Sequence, residues 1–95
     1  MKTEEIVSEL VEAARQMGIE VRSERGSFRG GLCTVEEAEL ILLNKRQPPE
    51  AHLAILAESL RDKEMDKVFL TPAVRKALEQ SWAKKDQVDV EIADS

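Results

Sequence analysis

Glu58 and Asp62 lie four residues apart in the segment "LAESLRD", a spacing that places both carboxylates on one face of a helix. Paired carboxylates can begin a site for a hard cation such as magnesium or manganese. A solvated helix end explains them equally simply, because Arg61, Lys63 and Glu64 make the neighbourhood a mixed-charge run of the surface kind. His52 precedes Glu58 by six residues and sits off that helical line, so it reads as a partly exposed helix histidine and not as a further ligand. Two acids fall short of a metal centre, and no metal or other cofactor is assigned.

Cys33 follows the pair Gly30-Gly31 in "FRGGLCTV". Arg29, four residues earlier, would share its side of a strand, and a nearby guanidinium would favour the reactive thiolate. A small enzyme or redox sensor built on Cys33 would follow from that; the plainer alternative is an unpaired cysteine packed away and inert. Arg22, Arg25 and Arg29 gather about one turn and could receive a small anion or an acidic peptide, although Glu20 and Glu24 supply countercharge for ordinary cross-strand pairs. Arg22, Arg29, Gly30, Gly31 and Cys33 are therefore the candidate binding residues. No catalytic residue is nominated.

The elements that must hold these residues can be read from periodicity. From Thr3 to Met17, Ile6, Val7, Leu10, Val11, Ala14 and Met17 recur at helical spacing, with Thr3 as N-cap, acids in the first turn and Gly18 at the end. Alternation in "IEVRSE", then "FRGGLCTV", then "AELILLN" predicts three strands joined by turns. Turns so short suggest an antiparallel meander, and the unbroken run Leu40 to Leu43 suggests a third strand covered on two sides. Glycines inside a strand mark a bulge or a close backbone approach, which is the reading for Gly30 and Gly31.

Pro48-Pro49 opens a second helix that runs to about Arg61, with Leu53, Leu56, Ala57 and Leu60 on one face. After the charged segment "RDKEMDK", Thr71 caps a third helix beginning at Pro72, whose stripe of Val74, Ala77, Leu78 and Trp82 faces the core. In the tail, Val88, Val90 and Ile92 alternate with acids, so residues 87–95 read as an edge strand or a frayed end. The fold class is α+β: a three-stranded antiparallel sheet packed with three helices, with a fourth strand from the tail left open, and residues 1–86 forming one domain.

Composition limits what such a domain can do. Ninety-five residues suit one compact core, and with one Trp, two Phe and no Tyr that core is aliphatic. The net charge of −5 opposes binding to nucleic acid, whose partners carry a basic face. A single cysteine forms no internal disulfide, the N-terminus is acidic where a signal peptide is basic, and no apolar run approaches a membrane span. A cytoplasmic protein is expected.

The order helix, three strands, "ILLNKRQPP" and then a helix carrying "LAESLRD" resembles the N-terminal half of the ImmA/IrrE-type zinc metallopeptidases, over roughly residues 3 to 62. In that family a strand ending in Asn leads through a Pro-containing turn to a helix reading Leu-Ala-His-Glu-Leu-Gly-His. Aligned on Leu56 and Ala57, the first histidine falls on Glu58, the catalytic glutamate on Ser59 and the second histidine on Asp62. A serine hydroxyl cannot take the proton from a zinc-bound water, so the resemblance implies the scaffold without the peptidase reaction. The expectation is a small bacterial binding or regulatory module, non-catalytic, whose partner is another protein or a second copy of itself.

Overall fold

The computed structural model describes residues 1–63, 65 and 68–94, and of residues 86–94 the backbone alone. Glu64, Asp66 and Lys67 of the charged segment, and the side chains of Val88, Val90 and Ile92, lie outside that description. The elements are α1 (Thr3–Gln16), β1 (Glu20–Glu24), β2 (Gly31–Val35), β3 (Ala38–Asn44), α2 (Pro49–Leu60) and α3 (Pro72–Asp94).

Helix α1 forms where the apolar spacing predicts it. Its cap position is Lys2 and no side chain closes it, in place of the expected Thr3 cap. The C-terminus ends at Gly18, whose φ of +85° suits a residue without a Cβ. There the Gly18 N–H donates to the Arg15 carbonyl and the Ile19 N–H to the Ala14 carbonyl, both at 3.0 Å, the paired bonds of a Schellman ending. That ending turns the chain directly into β1.

The sheet differs from the expected meander. Its order is β1-β3-β2, with β1 parallel to β3 and β2 antiparallel to it. Only β2 and β3 form a hairpin. Two causes act together: β3 is the most apolar strand and gains most from the central place, and residues 25–30 are long enough to step over it. Crossing one strand requires a span of two interstrand spacings, roughly 10 Å, which six extended residues exceed. The expectation that a short connection must make a hairpin overlooked this antiparallel step.

The loop is held in its crossing. Asn44, at the end of β3 and only 4% exposed, donates its side-chain amide to the carbonyls of Gly26 at 2.9 Å and Phe28 at 2.7 Å, while its Oδ1 accepts the Arg46 N–H at 3.0 Å. The chain then passes so close to β3 that a Cβ on Gly30 would lie 2.5 Å from the Leu42 carbonyl oxygen, and Gly30 has a φ of +90°. Close approach is thus the role of Gly30.

All helices that pack on the sheet cover one face. Ile41, Leu43 and Val21 turn into a core with Ile6, Leu10 and Ala14 of α1, Ile55, Leu56 and Leu60 of α2, and Val74 and Leu78 of α3. A fully buried leucine such as Leu10, Leu56 or Leu60 contributes roughly 1.5–3 kcal/mol over leaving it in water. On the other face Leu40 and Leu42 remain partly exposed, so β3 is not covered on two sides as its apolar run suggested. The run reflects a central position, not a second layer.

Helix α3 is capped as expected: Thr71 Oγ1 accepts the Val74 N–H at 3.4 Å and itself donates to Glu9 on α1 at 3.2 Å. The indole N–H of Trp82 donates to the Ala57 carbonyl at 2.7 Å, satisfying one of the carbonyls that the end of α2 leaves without a helical partner. The Arg61 guanidinium lies 5.9 Å from the centre of the Trp82 ring. Beyond it the backbone stays helical to Asp94, so the expected edge strand is replaced by a continued helix. No Gly or Pro interrupts residues 73–94, and extending a formed helix is far easier than starting a new element.

Candidate functional site

Strand β2 is an edge, and its register identifies which of its backbone groups are open. The Val35 to Ala38 pairing across a two-residue turn can form only by mutual hydrogen bonds, since the other antiparallel pattern would require bonds between the adjacent residues Glu36 and Glu37. By alternation, Gly31, Cys33 and Val35 turn their N–H and C=O groups toward β3, while those of Leu32 and Thr34 point outward. Among the described residues no strand pairs with that outer side. The segment carries neither charge nor proline, whereas the opposite edge, β1, bears Glu20, Arg22 and Glu24 in five residues. Charges and proline are the usual protection of an edge, and β2 lacks both.

A cleft of about 450 Å³ lies between the start of β2 and the end of α2, bordered by Arg29, Gly31, Leu32, Ile55, Glu58, Asp62 and Lys63. The structure therefore brings Arg29, Gly30 and Gly31 together with Glu58 and Asp62, which sequence reasoning held as separate groups. Glu58 is the electrostatic centre. Its Oε1 accepts from Lys85 of α3 at 2.5 Å, and its Oε2 lies 3.8 Å from an Arg29 nitrogen. The Lys85 hydrogen bond, with the nearby Lys85 and Arg29 charges, holds the Glu58 carboxyl below its ordinary value and outweighs the small desolvation that acts the other way. Lys63, at the far rim, pairs with Glu39 of β3.

This geometry has consequences for the metal candidates. Both Glu58 oxygens already face cations, Asp62 is exposed, and among the described residues no group of three or more His, Cys, Asp or Glu side chains is placed to hold a metal ion. Ser59 is buried, and its hydroxyl donates back to the Ile55 carbonyl at 2.7 Å, so it points into its own helix. His52 is committed elsewhere. Its Nε2 lies 2.6 Å from the Asn44 carbonyl oxygen, and because that oxygen can only accept, Nε2 carries the proton.

Cys33 is exposed, with its Sγ at 3.9 Å from the Gly31 carbonyl. It sits opposite Leu40 on the face away from the helices, whereas Arg29 reaches toward Glu58 on the helix side. The expected sharing of one face fails because the positive φ values of Gly30 and Gly31 break the two-residue alternation between them. The arginine cluster is dispersed as well. Arg22 bonds Glu20 at 2.9 Å on β1, and β3 separates that edge from Arg29.

Three residues of the site escaped the sequence reading: Lys85, Lys63 and Asn44. Nothing in the local sequence announces Lys85, since its partner lies 27 positions away. Asn44 was legible in part, because a polar residue closing an apolar strand before a turn commonly ties down backbone. No family model, curated protein or solved structure matches this chain.

Proposed function

We propose that this protein is a non-catalytic protein-binding module that accepts an extended partner segment along the outer edge of β2. The observation that carries the reading is the open, uncharged edge at Leu32 and Thr34 beside a cleft whose central acid is already neutralised by Lys85. Strand addition supplies main-chain hydrogen bonds, and the neighbouring cleft supplies room for side chains of the added strand. Kinship with the ImmA/IrrE-type peptidases remains a proposal, supported by the order of the first five elements and by Asn44 before the Pro-Pro turn. On that alignment the position of the first zinc ligand holds an ion pair, and the position of the general base holds a buried serine.

Among the described residues no helix is long and apolar enough to cross a membrane. With its acidic balance, the reading is of a cytoplasmic module that engages protein, not nucleic acid. Selection of displayed random peptides on the immobilised protein, with a Thr34→Pro variant as counter-selection, tests it. Thr34 directs its N–H outward, so proline there removes a docking donor and no bond to β3. Peptides enriched on the wild type, lost on the variant and protecting the Leu32 and Thr34 amides from exchange are the expected result. Saturable zinc binding at Glu58 and Asp62, with no selectable peptide, would overturn it.

A further inference from the structure

We infer that the groove between α1 and the segment 68–74 is a second interaction surface, one that takes a basic amphipathic helix of a partner protein. It shares no lining residue with the cleft beside β2 and does not depend on the strand-accepting reading above. A hollow of about 330 Å³ opens there over an apolar floor of Ala13, Leu70 and Val74. Glu9 and Glu12 of α1 form one rim, and Phe69 stands on the opposing segment. Phe69 is 85% exposed, more than any other large apolar side chain among the described residues.

That exposure is built into the segment. On one side the Val68 N–H donates to the Met65 carbonyl at 3.1 Å and its side chain is half-buried. On the other, Leu70 packs against the core, and Thr71 is tied to Glu9 and to the first turn of α3. With both neighbours anchored inward, the residue between them is left facing water. An aromatic side chain held there on a fixed backbone loses little freedom when a partner covers it, which is the property of an interface anchor.

Charge selects the partner. Helix α1 carries four glutamates against one arginine, and among the described residues no basic side chain pairs with Glu9 or Glu12. On a chain of net charge −5, this rim attracts lysine and arginine and repels nucleic acid and anionic lipid alike. A lysine or arginine meeting Glu12 can lay its stem or its charge against the Phe69 ring. Backbone chemistry selects the conformation. The α1 wall spends its N–H and C=O groups within the helix, so it offers none to an added strand, and a partner that satisfies its own backbone, a helix, suits it. One apolar side chain of that helix fills the floor, and bases one turn to either side reach the rim.

The experiment is an amide-resolved NMR titration of the full chain with a blocked peptide of about 18 residues, long enough to be helical, whose leucines repeat at helical spacing among lysines. Its counterpart with glutamate in place of lysine is the control. Saturable shifts at the α1 amides from Ser8 to Gln16 and at Phe69 are expected, with none at Leu32 or Thr34 and no binding of the glutamate peptide. Phe69→Ser should weaken binding roughly tenfold. Glu12→Lys should weaken it about threefold, as befits an exposed ion pair. Both side chains stand in water, so neither change disturbs the core. Shifts spread over every acidic stretch of the surface, binding indifferent to Phe69→Ser, or a silent titration at millimolar peptide overturns the inference. Self-association without peptide that is lost in Phe69→Ser would give the groove to a second copy and overturn it as well. Each of these failures leaves the peptide selection at β2 free to succeed.

Discussion

The side-chain amide of Asn44 donates to the carbonyl of Phe28 at 2.7 Å, and through this bond the end of β3 holds the loop that crosses it. A second donation, to Gly26, comes from the same nitrogen. The mixed sheet order depends on this tie, because the loop must leave β1 and descend beyond β3 without pairing to either. Asn44→Ala would leave two carbonyls and the Arg46 N–H without their partner at a buried position. A loss of roughly 2–4 kcal/mol is expected, at about 1 kcal/mol for each bond plus the desolvation left uncompensated. Urea denaturation of the variant measures it, and a loss below 1 kcal/mol would mean that water replaces the amide freely.

Two glycines with similar backbone angles should respond differently. Gly18 and Gly30 have φ of +85° and +90°, but a Cβ on Gly18 meets nothing within 4 Å whereas one on Gly30 lies 2.5 Å from the Leu42 carbonyl oxygen. Gly18→Ala is expected to cost the conformational penalty alone, roughly 1–2 kcal/mol. Gly30→Ala adds a clash with backbone that cannot turn aside, so its cost should be clearly larger, with β2 amides losing exchange protection. Equal thermal shifts in the two variants would refute the close approach.

Glu36 and Glu37 both have positive φ, at 50° and 70°, in the two-residue turn between β2 and β3. Such a turn favours Asn-Gly, and the glutamates hold it at a conformational cost. Replacing them by Asn and Gly should stabilise the fold by about 1 kcal/mol, raising the melting temperature by several degrees in a domain of this size. A double variant that melts no higher than the parent would show that the glutamates hold this turn without cost.

How far the structure was legible in the sequence depended on the range of the interaction that decides it. Helix α1, its ending at Gly18, the opening of α2 at the prolines and the Thr71 cap are local matters of periodicity and capping, and each formed where those signals stood. The strands formed too, but their order is a competition over the whole sheet, in which β3 took the centre and the connecting loop stepped across it. Alternation from Arg29 to Cys33 misled because Gly30 and Gly31 adopt positive φ, turning the two side chains to opposite faces. In the tail, three alternating apolar residues gave a strand-like pattern that is equally short within a helix. Around the candidate site, the close backbone approach at Gly30 was legible as a glycine inside a strand; the neutralisation of Glu58 by Lys85 was not, because it joins two helices far apart in the chain.

That neutralisation makes a prediction about acid. Lys85 and Arg29 hold the Glu58 carboxyl below its ordinary value of 4.5, so folding favours the ionised form. A carboxyl lowered in this way contributes stability above its unfolded value, and the contribution is lost as pH falls through the lower folded value. Glu58→Gln should therefore cost little at neutral pH, less than about 1 kcal/mol because both partners are substantially exposed and the pair is screened by water. Between the ordinary and the lowered value the gap should shrink, and below the lowered value the variant and the parent should converge, since both then present an uncharged group to Lys85. Denaturant titrations at neutral pH and in acid, compared between the two proteins, measure the convergence. A gap that widens toward acid would mean that Glu58 is protonated in the fold, and the acid beside the β2 edge would then be free to bind a ligand.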